Sequence, residues 1–190
     1  MASEEGDGAT GHAGPPPLAP GPAQVPEAIP AQGPRVTGVL CPDEHLCSLR
    51  DQHCRTCGQP IDAGTELVSG PRPALGILVF DDGETVDLEV PVVVGREVPA
   101  DYEVDGQQPR IVNMIEEGEP TVSRVHLEIR LDDWTVNMVD QISSNGTFIR
   151  AGAATHHRTR IPAGHATPID IGTYVEVGER WFLFTTRAEL

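Results

Sequence analysis

Short apolar segments separated by turn residues fill the second half of the chain and restrict what it can fold into. Apolar and charged residues alternate along residues 86–90 and 127–131, the period of strands with one face in water. No convincing helical pattern is found after residue 74. The predicted strands are Ile77 to Phe80, Val86 to Val94, Ile111 to Met114, His126 to Leu131, Trp134 to Val139, Thr147 to Ile149, Tyr174 to Val177 and Trp181 to Phe184. The sequence therefore predicts an all-β fold, a β-sandwich of about ten to eleven strands over residues 74–190.

The N-terminal third has a different composition and is predicted to divide into three parts. Residues 1–37 are rich in proline, glycine and alanine, and no aromatic residue, lysine or arginine occurs before Arg35. Such a segment cannot bury enough apolar surface to offset the entropy of ordering, so a disordered tail is predicted. Residues 38–60 contain all the cysteines, and residues 61–73, with several prolines and glycines, read as a linker.

The four cysteines lie close together and predict a small metal-binding unit. Cys54 and Cys57 are separated by two residues and followed by a glycine, the pattern of a zinc knuckle. Two further ligands for a structural zinc ion must come from Cys41, His45 and Cys47. The preferred set is Cys41, Cys47, Cys54 and Cys57, with His45 as the alternative ligand; free thiols and a redox pair are weaker interpretations.

The charge of the chain disfavours two classes of partner. The formal net charge is −16, from 29 acidic and 13 basic residues, and lysine is absent. The overall field therefore opposes binding to nucleic acid or to an anionic membrane. The N-terminus lacks the basic start and apolar run of a secretory signal, and no segment is apolar enough for membrane insertion, so a cytoplasmic location is expected. The arginine-rich, lysine-free composition suggests a bacterial source.

Three short motifs place polar groups next to predicted strands. They are Gly95-Arg96, Ser123-Arg124-Val125-His126 and Ser144-Asn145-Gly146-Thr147. An arginine offers a planar fork of donors that matches a phosphate, and a serine hydroxyl or an arginine next to it adds further donors. An asparagine amide has both a donor and an acceptor and can hold the backbone of an extended peptide. The set predicts a site for a phosphorylated peptide.

With these motifs in this order, residues 74–187 closely resemble the forkhead-associated (FHA) family. The resemblance implies a β-sandwich that binds phosphothreonine peptides through loops at one end. It assigns phosphopeptide contacts to Arg96, Ser123, Arg124, Ser144 and Asn145. It also implies that Gly95, His126 and Gly146 support the loops, His126 from the interior rather than as a general base. Cys41-Pro42 followed by His45 resembles the start of short zinc ribbons that precede bacterial phosphothreonine-binding domains.

The resemblance implies an adaptor in bacterial Ser/Thr kinase signalling, with a threonine-phosphorylated protein as partner and a kinase upstream. The alternative is a scaffold that uses the sandwich to bind an unphosphorylated protein. The acidic stretch 97–122 either frames the site, favouring basic or neutral residues beside the phosphothreonine, or forms a solvated excursion. No recognisable catalytic arrangement occurs, so we do not expect an enzyme.

Overall fold

The computed structural model describes residues 34–62, 64, 66–115 and 120–190. In this part of the chain, strands form three sheets. The strands are β1 Arg35–Leu40, β2 Leu46–Cys47, β3 Val68–Pro71, β4 Ile77–Phe80, β5 Thr85–Asp87, β6 Val92–Gly95, β7 Arg110–Asn113, β8 Leu127–Asp132, β9 Thr135–Asp140, β10 Thr147–Ala151, β11 Thr159–Arg160, β12 Thr167–Ile169, β13 Thr173–Val177 and β14 Arg180–Thr185. A 3-10 turn follows at Arg187–Glu189. Among the described residues no helix is long and apolar enough to cross a bilayer.

Two of the sheets form a β-sandwich. One has six strands in the order β11-β10-β13-β14-β4-β5, and the other has five in the order β12-β9-β8-β6-β7. Paired strands in them are antiparallel, except that β6 and β7 run parallel. Buried side chains of both sheets join one apolar core, including Leu78, Leu127, Ile129, Phe182 and Phe184. The predicted all-β sandwich of about ten to eleven strands is confirmed.

The apolar run Val86 to Val94, predicted as one strand, divides between the two sheets. β5 pairs with β4 in the six-stranded sheet, whereas β6 pairs with β7 and β8 in the five-stranded sheet. Between them the chain turns at residues 88–90, and Pro91, which has no N–H to give to a ladder, precedes β6. Leu88 continues the apolar alternation although it lies in the turn, because its side chain is fully buried.

The sequence pattern did not predict two strands of the sandwich. β11 and β12 are short strands at the outer edges of the two sheets, where β11 pairs only with β10 and β12 only with β9. Both residues of β11 are exposed. An edge strand of two or three residues needs no apolar alternation, because backbone hydrogen bonds to one neighbour hold it.

The third sheet precedes the sandwich and has the order β2-β1-β3. β1 begins inside the predicted tail of residues 1–37, and β3 lies inside the predicted linker of residues 61–73. The ordered unit is therefore wider than residues 38–60, because antiparallel pairing with β1 orders a segment that carries no strand pattern of its own. The rest of the predicted tail, residues 1–33, lies outside the described residues.

Side chains connect this N-terminal sheet to the sandwich. Trp134, in the turn between β8 and β9, donates its indole N–H to the carbonyl oxygen of Thr37 in β1 at 2.8 Å. Arg55 donates to the carbonyl oxygen of Leu75 at 2.8 Å and is itself held by Asp51 in a paired contact. The cysteine-containing unit and the sandwich are thus packed together, an arrangement that the sequence left open.

Candidate functional site

The first two motifs meet where β6 ends. The backbone N–H of Arg96 donates to the carbonyl oxygen of Ser123 at 3.0 Å, and that of Glu97 donates to Arg124 at 3.2 Å. Gly95 permits this approach, since a Cβ there would lie 2.9 Å from the carbonyl carbon of Arg124 and closer still to its oxygen. The Gly-Arg motif therefore combines a backbone position that admits no side chain with an arginine carried out into the loop.

The third motif joins the second through direct hydrogen bonds. The N–H of Ser144 donates to the hydroxyl oxygen of Ser123 at 3.1 Å. The side-chain amide of Asn145 donates to the carbonyl oxygen of Thr121 at 2.8 Å. Because Ser123 Oγ acts as acceptor here, its own O–H is left to donate to another group. All five residues predicted to contact a phosphopeptide lie in this loop cluster: Arg96, Ser123, Arg124, Ser144 and Asn145.

His126 supports the cluster from the interior. Its side chain is fully buried, and Nδ1 accepts a hydrogen bond from the backbone N–H of Ser123 at 3.1 Å. A backbone N–H can only donate, so Nδ1 is unprotonated and a neutral ring carries its proton on Nε2. Nε2 lies 3.4 Å from the carbonyl oxygen of Gly146. One ring thus connects the Ser-x-x-His loop to the Asn-Gly turn.

Asp140 is a supporting residue that the sequence did not reveal. Its carboxylate is almost fully buried at the end of β9 and accepts hydrogen bonds from the N–H and hydroxyl of Ser143 and the hydroxyl of Thr147, at 2.7–2.8 Å. Burial raises the pKa of Asp140, but the hydrogen bonds from Thr147 and Ser143 outweigh it and leave the pKa below its ordinary value. The signal in the sequence is an aspartate closing an apolar strand, with hydroxyl residues three and seven positions later.

The phosphate-binding donors predicted from the sequence face solvent. Arg96 is 39% exposed, and its nearest carboxylate is that of Glu97 at 3.8 Å, which is longer than a hydrogen bond. Arg124 is also exposed and lines an open depression of about 450 Å³ together with Ser123. Guanidinium donors that make no short hydrogen bond can bind an anion without first breaking an internal one.

Ile142 adds an apolar, strained element to the same depression. Its side chain is 82% exposed, and its backbone has a φ of 55°. A β-branched residue is uncommon in this left-handed region. The residue follows Gln141, whose N–H donates to the carbonyl oxygen of His126 at 2.8 Å.

Part of the acidic stretch 97–122 is packed against the sandwich. It contains β7 and a loop in which Tyr102 donates to the buried carboxylate of Glu128 at 2.5 Å, while Arg130 pairs with the same carboxylate. Burial, together with the hydrogen bond to Glu128, raises the pKa of Tyr102 to about 12. In the described residues of this stretch, Val104, Val112 and Met114 are also buried.

A second cluster brings together metal-ligating groups. The ligand atoms of Cys41, His45, Cys54 and Cys57 all lie within 4.8 Å of one another. Cys41 Sγ is 3.5 Å from His45 Nδ1 and 3.8 Å from Cys57 Sγ. The Cys54–Gly58 turn is closed by a hydrogen bond from Gly58 N–H to the Cys54 carbonyl oxygen, with Gly58 at a φ of 76°. Three thiols and an imidazole form a donor set that suits tetrahedral zinc.

Cys47 is not in this set, although the preferred prediction included it. Its thiol is buried and donates to the carbonyl oxygen of His45 at 3.3 Å. Burial and its contact with Cys54 raise the pKa of Cys47 to about 12. In contrast, burial raises the pKa of Cys54, but the N–H donors of Cys57 and Thr56 outweigh it and bring the value to about 7. The four ligand atoms that lie within 4.8 Å of one another thus include that of His45 and not that of Cys47.

Comparisons with known proteins give a family model and several solved structures that are similar to part of the chain. Residues 92–178 match the family model of the FHA domain. These residues are therefore similar to the FHA domain, the family that the three motifs resemble. The matched segment includes every residue predicted for the phosphopeptide site.

Several solved structures are similar to the chain. One, from a study of phosphothreonine-dependent FHA domain interactions, is 24% identical and covers 58% of this chain and 94% of that chain, with a TM-score of 0.38. The FhaA FHA domain, complexed with the intracellular domain of another protein, is 25% identical and covers 57% and 97%, with a TM-score of 0.38. An Arabidopsis thaliana FHA domain is 22% identical and covers 63% and 93%, with a TM-score of 0.42. Among curated proteins, none matches the chain.

Proposed function

We propose that this protein is an adaptor that binds phosphothreonine peptides with the loop cluster formed by its three motifs. The observation that carries the proposal is the geometry of that cluster in a β-sandwich similar to the FHA domain. Hydrogen bonds between backbone and side chains fix the loops, whereas the guanidinium groups of Arg96 and Arg124 are exposed. A rigid scaffold whose guanidinium groups are exposed to solvent is pre-organised to bind an anionic ligand.

Each group has a chemical role in this proposal. Phosphothreonine carries about 1.5 to 2 negative charges and three strong acceptor oxygens at neutral pH. Arg96 is the phosphate anchor, and the hydroxyl groups of Ser123 and Ser144 donate to the phosphate with Arg124 as a second cation. Asn145 holds the peptide backbone beside the phosphothreonine, after exchanging its present hydrogen bond to Thr121 or by using its amide oxygen.

The proposed cofactor is one structural zinc ion held by Cys41, His45, Cys54 and Cys57. A unit with so small a core requires another source of stability, and bound metal provides it as folding free energy. Its apolar cluster consists of Val39 and the cysteines, with Ile61 packed against them. The ion would have no catalytic part, because the four protein ligands complete its tetrahedral coordination.

The cellular role follows from the ligand. Phosphothreonine in proteins is made by Ser/Thr kinases, so a kinase acts upstream and a threonine-phosphorylated protein is the partner. We place this adaptor in bacterial signalling and in the cytoplasm, consistent with the composition and the acidic charge of the chain. The net charge of −16 opposes nucleic acid and anionic membranes as partners.

The proposal is tested with a degenerate phosphothreonine peptide library, with phosphoserine and unphosphorylated libraries alongside. We expect the purified, zinc-loaded protein to retain phosphothreonine peptides selectively. Equal retention of the unphosphorylated library would instead support the phosphorylation-independent scaffold. Retention of none by a folded protein would contradict the proposal.

A further inference from the structure

An arginine outside the three motifs lies against the Asn-Gly turn. Arg160 is an exposed residue of the edge strand β11, directly opposite Phe148 of β10. Its side chain extends over Gly146, where Cζ and one terminal nitrogen lie 2.7 Å from the position that a Cβ on this glycine would take. The absence of a side chain at Gly146 therefore leaves the space that the Arg160 guanidinium occupies.

The turn beneath Arg160 belongs to the proposed phosphopeptide site. The backbone N–H of Gly146 donates to the hydroxyl oxygen of Ser143 at 3.0 Å, and the carbonyl oxygen of Gly146 faces the buried ring of His126. The preceding residue is Asn145, which is proposed to hold the peptide backbone. The guanidinium of Arg160 thus lies on the solvent side of the same turn that presents this asparagine.

The guanidinium of Arg160 makes no hydrogen bond within the described part of the protein. Arg158, two residues earlier, donates to the carboxylate of Glu176 at 3.1 Å, and its guanidinium lies 4.6 Å from the centre of the Phe148 ring. No ion pair or side-chain hydrogen bond of Arg160 is found among the described residues. A guanidinium has five N–H donors and can bind a carboxylate through two parallel hydrogen bonds.

We propose that Arg160 binds a carboxylate of the ligand peptide, an aspartate or glutamate on the flank that passes the Asn145–Gly146 turn. This inference rests on the proposed function, since it concerns the same peptide. The ligand class is thereby narrowed to phosphothreonine peptides with an acidic residue at one flanking position. Glu97 lines the depression formed with Arg124, and neither Gly146 nor Arg160 belongs to that lining.

The test uses one phosphothreonine peptide scaffold in which each of the three residues on either side is changed singly to Glu, Ala or Lys. Binding of the full-length protein is measured by fluorescence polarisation at fixed salt. At one flanking position, we expect Glu to bind about threefold to tenfold more tightly than Lys, the range of an exposed to partly desolvated charge pair. Arg160→Gln should remove that preference, and Arg160→Glu should reverse it at the same position only.

Arg158→Gln is the matched control, because Arg158 is an exposed neighbour whose guanidinium is already paired with Glu176. It should keep the preference of the parent. If the parent binds phosphothreonine peptides but does not distinguish Glu from Lys, or if the preference survives Arg160→Glu, the role of Arg160 is wrong and the proposed function stands. If the parent binds no phosphothreonine peptide, both the function and this inference are overturned.

Discussion

Arg96 is the side chain on which the proposed phosphate contact depends most. Its backbone is fixed by the hydrogen bond to Ser123, while its guanidinium lacks a short hydrogen bond to the neighbouring Glu97. We expect Arg96→Ala to weaken phosphothreonine peptide binding by tenfold or more, since a charge-assisted hydrogen bond contributes about 1.5–3 kcal/mol. Isothermal titration calorimetry with a selected phosphopeptide measures this change.

Arg110→Ala provides the control for Arg96, because Arg110 is another exposed arginine at the opposite end of the paired strands β6 and β7. It removes the same formal charge from the molecule and should leave the dissociation constant nearly unchanged. A folded Arg96→Ala protein with the affinity of the parent would show that the phosphate anchor has been assigned to the wrong residue.

The sequence left open whether His45 or Cys47 completes the metal site, and the structure brings only His45 into the cluster of four ligand groups. His45→Ala should lower zinc content and thermal stability, because the imidazole is one of the four groups brought together. Cys47→Ser should keep about one zinc ion per chain, since the Cys47 thiol lies outside that set and donates to a carbonyl oxygen. Zinc content by mass spectrometry of the native protein measures both. The opposite pattern, with zinc lost only from Cys47→Ser, would restore the four-cysteine site.

Residue types and spacing predicted the groups of the site but not all of its partners. Gly95-Arg96 and Asn145-Gly146 can be recognised in the sequence because the residues that act together are adjacent in the chain. Asp140 and Arg160 act through neighbours brought close by pairing of β8 with β9 and of β10 with β11. The choice between His45 and Cys47 likewise depends on where the β1–β2 connection directs each side chain.

One end of the β8–β9 hairpin supports the loop cluster. Asp140 closes β9, and its carboxylate holds Ser143 and Thr147 on either side of the Asn-Gly turn. We expect Asp140→Asn to destabilise the fold by about 2–3 kcal/mol, because an amide nitrogen would face donors where the carboxylate oxygen accepted. Chemical denaturation at neutral pH measures the loss. Asp132→Asn, at the exposed other end of the hairpin, is the control and should change stability little.

The same carboxylate gives that stability a pH dependence. Its pKa in the folded protein is lowered, so its contribution is fully present above the ordinary aspartate pKa and is lost as pH falls through the lower folded-state value. The stability difference between parent and Asp140→Asn should therefore shrink in acid. A difference that stays constant down to strongly acidic pH would contradict the assigned network.

Alternation of apolar and polar residues predicted the central strands closely, since these strands bury one face in a shared core. It did not predict the crossing between β5 and β6, because the apolar pattern continues through the turn at the buried Leu88. It also missed β3, β11 and β12, where pairing at a sheet edge rather than burial orders the chain. Apolar periodicity in a sequence indicates burial. Strands that are held mainly by backbone pairing with a neighbour therefore show little of this periodicity.

The metal-binding unit and the loop cluster lie at opposite ends of the β8–β9 hairpin. Trp134, in the turn that joins the two strands, donates to Thr37 of the N-terminal sheet. His126 and Asp140 flank the other end of the hairpin. The sandwich core separates the two sites, so the N-terminal unit is expected to contribute stability without touching the bound peptide.

Metal removal tests this separation. The chain has two tryptophans, and Trp181→Phe leaves Trp134 as the only reporter. A chelator should change Trp134 fluorescence, because the sheet that accepts its hydrogen bond loses the metal. The dissociation constant for a phosphothreonine peptide should change by less than about twofold while the sandwich stays folded. A large loss of affinity together with intact sandwich structure would show that the two sites are coupled.

The most direct measurement is calorimetric titration of the zinc-loaded protein with one peptide prepared in three forms: phosphothreonine, phosphoserine and unphosphorylated threonine. We predict micromolar binding for the phosphothreonine form, about −8 kcal/mol. Binding of the phosphoserine form should be weaker, and that of the unphosphorylated form should be undetectable. Equal affinity for the phosphorylated and unphosphorylated threonine forms would contradict the proposal that this β-sandwich binds phosphothreonine through its loop cluster.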